Sequence, residues 1–119
     1  MITKAIADRL IELCRMGDFK TAQKELFSLD AVSIEPSATP EFDKETTGLD
    51  AILQKGEKFD EMVEKMHKIT VSDPLVAGNS FAMTIEMNAT MKEKGDINMT
   101  ELCVYNLKDG KIVSEEFFM

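Results

Sequence analysis

A chain of 119 residues that is 44% apolar and 30% charged, with a net charge of −8, has the make-up of a single globular domain, residues 1–119, large enough to bury a core without disulfide or metal staples. The excess negative charge argues against nucleic acid and anionic membrane surfaces as partners, since no basic cluster is longer than Lys92-Glu93-Lys94. Two distant cysteines, Cys14 and Cys103, and a single histidine give no local metal site, and no apolar leader precedes the first charged segment, so the chain reads as a cytoplasmic, reduced protein.

Apolar residues at Ile2, Ile6, Leu10, Leu13 and Cys14 recur at helical spacing, predicting an amphipathic helix over residues 2–16 with Thr3 as its cap and Gly17 as its stop. Asp18 is placed to cap a second helix, whose stripe is Phe19, Ala22, Leu26 and Phe27. A first strand follows between Leu29 and Glu35 and ends at Pro36. Residues 36–47 hold two prolines and one large apolar residue, Phe42, the composition of an exposed loop and the best candidate for a lid. After Gly48 a third helix carries Ile52, Phe59 and Val63, with Gly56 inside it as a mark of close approach by another backbone. The period then changes from helical to alternating. Strands are expected near 66–77, 81–92, 97–108 and 111–118, reversing at Gly78-Asn79, Gly95-Asp96 and Asp109-Gly110. Helices followed by a meander give an α+β fold class.

This order, the ending Tyr105-Asn106-Leu107-Lys108-Asp109-Gly110-Lys111-Ile112-Val113-Ser114-Glu115-Glu116-Phe117-Phe118, and the stretches Gly48-Leu49-Asp50-Ala51-Ile52 and Ser72-Asp73-Pro74 resemble the SnoaL-like branch of the nuclear transport factor 2-like superfamily. The resemblance spans nearly the whole chain. It implies N-terminal helices packed in the concavity of a curved antiparallel sheet, a cone-shaped α+β barrel with an apolar pocket, usually in a homodimer. For polyketide cyclases of this branch it also implies acid/base work by pocket carboxylates without a cofactor.

The last hairpin decides which side chains share a face. A three-residue Lys108-Asp109-Gly110 loop with a glycine bulge sets Tyr105 opposite Val113, Cys103 opposite Glu115 and Glu101 opposite Phe117. A two-residue loop instead turns Glu116 and Ser114 inward, because a slip of one residue inverts a strand. On the first register Glu101 and Glu115 sit among Cys103, Tyr105, Val113 and Phe117, where low dielectric raises a carboxyl pKa toward the range of a useful acid or base. The Tyr105 hydroxyl or the His67 imidazole, near the expected mouth, can supply the donor for a developing oxyanion. Each also has a plain structural reading: a packed ring with its hydroxyl at the rim for Tyr105, a solvated side chain for His67. Glu35, before the Pro36 loop, either points into the pocket or begins the turn.

Met83, Met87 and Met91 share a strand face with Phe81, Ile85 and Ala89, as core or cavity lining. The last two strands are apolar on both faces, with Leu102, Val104, Ile112 and Phe118 on the outer one, and a second copy of the chain is the simplest cover for it. The sequence thus points to a pocket protein for a small apolar organic ligand. It reads as an acid/base isomerase, cyclase or dehydratase with Glu101, Glu115, Tyr105 and His67 as catalytic candidates, or as a dimeric binding module without chemistry. Glu35, Cys103, Val113 and Phe117 are the ligand-binding candidates, and neither a metal nor another cofactor is called for.

Overall fold

The computed structural model describes residues 2–119. In it α1 (Ile2–Arg15) and α2 (Phe19–Leu26) form the expected hairpin, followed by β1 (Phe27–Ile34), β2 (Glu45–Thr47) and α3 (Leu49–Met62). The second half is β3 (Val63–Val71), β4 (Leu75–Ala77), β5 (Ser80–Met91), β6 (Gly95–Lys108) and β7 (Lys111–Phe118). The expected long strand near 66–77 is therefore two strands, broken where Ser72-Asp73-Pro74 leaves the ladder. Thr3, expected as the cap of α1, lies inside the helix and is buried. Asp18 does cap α2, its carboxylate accepting from the Thr21 N–H at 3.2 Å. Asp18→Ala is expected to cost about 1 kcal/mol of stability, read from a denaturant midpoint shift at unchanged slope.

The sheet runs β2-β1-β7-β6-β5-β3, with β4 paired to β5 outside that path. It is curved and unclosed, so the expected barrel is an open cone. It is also mixed. All pairs are antiparallel except β1 with β7, which run parallel and set Ser33 beside Glu115. That pairing joins residues more than eighty positions apart, and no local pattern announces it. The three helices lie against the concave face, α1 on β3 and β5, α2 and α3 on β1. The core between them is built from Ile6, Leu10, Leu13 and Ile52 on the helices and from Phe81, Met83, Ile85, Met87, Tyr105 and Ile112 on the strands.

The β6–β7 hairpin turns through Asp109 and Gly110 alone, both with positive φ (52° and 77°), the backbone of a type I′ turn. On its own this two-residue loop would have turned Glu116 inward. A β-bulge at Val113 restores the parity: Leu107 pairs with Ile112, but beyond the bulge Tyr105 pairs with Glu115 and Cys103 with Phe117. Glu115 therefore shares the concave face with Glu101, as the bulged register predicts, although its partner is Tyr105 rather than Cys103. Ile112 is the correction. It belongs to the concave face, fully buried against Leu107, while Leu102 and Phe118 stay exposed on the convex face. Among the described residues no helix is long and apolar enough to cross a membrane.

Candidate functional site

Between α2, α3 and the concave face lies a cavity of about 280 Å³, near the lower end of the ~300–1,000 Å³ typical of small-molecule pockets. Its sheet wall carries Ile85, Met87, Met99, Glu101, Tyr105, Glu115 and Phe117; its helix wall carries Phe19, Ile52, Lys55, Gly56, Phe59 and Asp60. Phe42, from the loop expected as a lid, also lines it, and Lys58 lies 5.3 Å over that ring while donating to the Glu41 carbonyl. Met87 lines the cavity, whereas Met83 and Met91 are buried elsewhere on the same strand face.

A continuous polar chain crosses the deep end. The Lys55 ammonium donates to Ser33 Oγ at 2.6 Å and to Glu35 Oε2 at 2.8 Å. Ser33 in turn donates to Glu115 Oε2 at 2.7 Å. The ammonium also sits 5.6 Å from the centre of the Phe117 ring, a cation–π arrangement. Lys55 falls three residues after Ile52 and four before Phe59, on the inward stripe of α3. A lysine at an inward helical position was the signal sequence reasoning passed over. Ser33 occupies the inward position of β1, but its partner on β7 becomes apparent only from the parallel pairing.

Both sheet-wall carboxyls are pushed up to about 7. For Glu101 burial is the main cause, reinforced by the charges of Glu35 and Glu115 and opposed by the Cys103 thiol and Lys55. For Glu115 burial again leads, opposed by the Ser33 hydrogen bond and the Lys55 charge, with Glu35 adding to the rise. The Cys103 Sγ lies 3.9 Å from Glu101 Oε1, a weak contact of a thiol that burial holds protonated. Burial likewise keeps the Tyr105 phenol neutral, its ring stacked on Phe81 with centroids 4.8 Å apart.

The cavity thus brings together Glu35, Glu101, Tyr105, Glu115 and Phe117 of the residues singled out from the sequence. Cys103 is buried behind that wall rather than lining it. Val113 is the bulge residue and is not among the lining side chains, because the bulge that turns Glu115 inward takes Val113 out of the alternation. His67 stands apart as well. It is exposed on β3, with Nε2 2.7 Å from Thr90 Oγ1, while the Thr90 hydroxyl donates to Asp96. Since Thr90 has spent its one proton on Asp96, His67 is the donor in that pair. Its surroundings are a surface network on the β5–β6 side, so the imidazole is not in place to serve the cavity.

The SnoaL-like domain family matches residues 1–119, the whole chain. The chain belongs to that family. Among solved structures, this SnoaL-like domain is 30% identical to a proposed SnoaL-like polyketide cyclase from Mesorhizobium loti, also described as a carbohydrate phosphatase, with a TM-score of 0.89 over 97% of both chains. It is 22% identical to a protein of unknown function with a cystatin-like fold from Xanthomonas campestris, at a TM-score of 0.83 over 99% of this chain and 90% of that one. It is 21% identical to IdmH, a proposed polyketide cyclase from Streptomyces antibioticus, at 0.73 over 98% and 90%. No curated protein matches. The last two likenesses establish the fold, and a fold by itself does not fix a reaction.

Proposed function

We propose that this SnoaL-like domain is a cofactor-independent acid/base catalyst, an isomerase or cyclase acting on a small, largely apolar carbonyl compound. The observation that supports it is the pair Glu101 and Glu115 on one wall of an apolar cavity, each with its carboxyl pushed up to about 7. Near neutral pH such a pair holds about one proton between its two members, which makes one an acid and the other a base. Glu101, whose carboxyl among the described residues meets only a weak thiol donor, takes a proton from the carbon next to the carbonyl. Glu115, fixed by Ser33, delivers its proton to the carbonyl oxygen. The C–H bond breaks, an O–H bond forms, and a neutral enol results. Return of the proton from Glu101 to a different carbon, with the hydroxyl proton going back to Glu115, completes an isomerisation. In a cyclisation the enol carbon attacks a second carbonyl, whose oxygen takes the proton from Glu101 as its π bond breaks, while the enol hydroxyl returns its proton to Glu115 and becomes the carbonyl again. Tyr105, on the same wall, adds a neutral donor beside Glu115.

The test is deuterium incorporation from solvent at the carbon next to the carbonyl of small cyclic ketones, followed by NMR. Wild type is expected to accelerate exchange, and Glu101→Gln to lower the rate by about 100-fold or more. Exchange unchanged in both Glu101→Gln and Glu115→Gln would leave the cavity as a binding site without chemistry.

The same reading takes the convex face as a homodimer surface, supported by Leu102 and Phe118, 41% and 47% exposed, beside the half-buried Val104. Val104→Glu is expected to turn a dimer into a monomer in sedimentation velocity. A wild-type protein that is monomeric at micromolar concentration removes this part of the proposal.

A further inference from the structure

The cavity is unbalanced in charge. Both of its lysines are already engaged, Lys55 with Glu35 at 2.8 Å and Lys20 with Glu57 at 3.7 Å. Three further acids, Asp60, Glu101 and Glu115, line the same space, and among the described residues none of them has a basic side chain within ion-pair distance. Glu115 is only 4% exposed, and the hydrogen bond from Ser33 goes to Oε2, leaving Oε1 to the cavity. An anionic ligand, a phosphate or a carboxylate, would meet three unmatched acids and, among the described residues that line the cavity, no cation outside an ion pair. A cation meets those acids and also the rings of Phe19, Phe42, Phe59 and Phe117. Two of these rings already carry an ammonium, Phe117 that of Lys55 and Phe42 that of Lys58, whereas Phe19 and Phe59 carry none among the described residues.

We propose that the substrate of this cavity carries a basic nitrogen, an ammonium at neutral pH on a largely apolar body. The ammonium sits on the helix wall, where Phe19, Phe59 and Asp60 line the cavity, and the reacting carbonyl faces Glu101 and Glu115 on the sheet wall. This rests on the cavity being the reaction site and adds the substrate class, an amine-bearing carbonyl compound. The helix wall suits the role for two reasons. Aromatic faces attract a cation whose charge is partly stripped of water. Asp60 is exposed at the cavity, its carboxyl raised by partial desolvation and by the neighbouring charge of Glu57, and a bound ammonium supplies a counter-charge that offsets both.

The experiment titrates the protein at pH 7 with benzyltrimethylammonium, benzyl alcohol and benzoate, reading amide shifts of cavity residues by NMR, in wild type and in Asp60→Asn. The cation is expected to bind about tenfold more tightly than the alcohol, with benzoate weakest, and the preference to shrink as salt is added. Asp60→Asn should lower the affinity for the cation several-fold and leave that for the alcohol unchanged. Benzoate binding as tightly as the cation, a full cation preference retained in Asp60→Asn, or no binding of the cation up to about 10 mM would each overturn the proposal. The readout needs no turnover, so a cation preference that survives when neither carboxyl variant alters deuterium exchange separates failure of the acid/base reading from failure of this one.

Discussion

Glu115→Gln is expected to remove about half of the pH dependence of stability that the wild-type fold shows between about pH 4.5 and 7, the rest belonging to Glu101, which is raised over the same interval. In that window the folded state keeps a proton on Glu115 that the unfolded chain has released, so unfolding releases a proton and stability falls as pH rises. Below 4.5 both states bind the proton and above about 7 neither does, so the loss is confined to the interval and then levels off. For a carboxyl 4% exposed and shifted from 4.5 to about 7, the loss is on the order of 3 kcal/mol. The glutamine side chain keeps an oxygen to accept from Ser33 but carries no charge to desolvate. At pH 8 the variant should therefore be more stable than wild type, while at pH 4 the two should be alike. Thermal unfolding across pH 4–9 reads this directly, and parallel curves for the two proteins would contradict it.

Lys55→Met is expected to act in the opposite direction on chemistry. The ammonium is the one positive charge that lowers both sheet-wall carboxyls, so its loss should raise Glu101 and Glu115 further and move the pH at which the base becomes available upward. Deuterium exchange at pH 7 should fall several-fold and recover toward pH 9, a displaced profile rather than a uniform loss. Methionine preserves the apolar stem, but among the described residues Glu35 loses its only ion-pair partner and the Ser33 hydroxyl one of its two hydrogen bonds. With the two paired side chains 16% and 24% exposed, a stability cost of about 1–3 kcal/mol follows. Lys55→Arg, which keeps the charge, should restore most of the pH profile.

The parts of this molecule that were legible in the sequence are those set by short-range pattern. The Asp18 cap, the alternation of β5 through Phe81, Met83 and Ile85, and the α1 stripe from Ile6 through Leu10 and Leu13 to Cys14 are each determined within a few residues and came out as read, whereas Ile2, read as the first residue of that stripe, is exposed. The short β2 was hidden because Glu45, Thr46 and Thr47 bury almost nothing and pair only with the end of β1. The inward turn of Glu115 was reached by the right parity through the wrong device. Asp109-Gly110 makes a tight turn, and it is the bulge at Val113, forced where β1 and β6 both pair with β7, that restores the face. The position of His67 at the start of a strand reads as near the mouth, yet β3 lies at the opposite edge of the sheet from β2, and the exposed imidazole meets Thr90 there. Lys55 and Ser33 needed tertiary structure. An inward lysine is tolerable because Glu35 and Ser33 receive it, Ser33 from β1 and Glu35 from the residue just after it, and β1 joins β7 through the parallel pair.

The central claim is that two carboxyls on one wall share a proton near neutral pH, and it is tested most directly by following the side-chain carboxyl carbons of Glu101 and Glu115 through an NMR titration of the ligand-free protein. Both are expected to titrate near 7, with the Glu101 curve moving down when Glu115 is changed to glutamine, since the charge of Glu115 is one of the causes that raise Glu101. Two carboxyls titrating independently near 4.5, the ordinary value for glutamate, would contradict it.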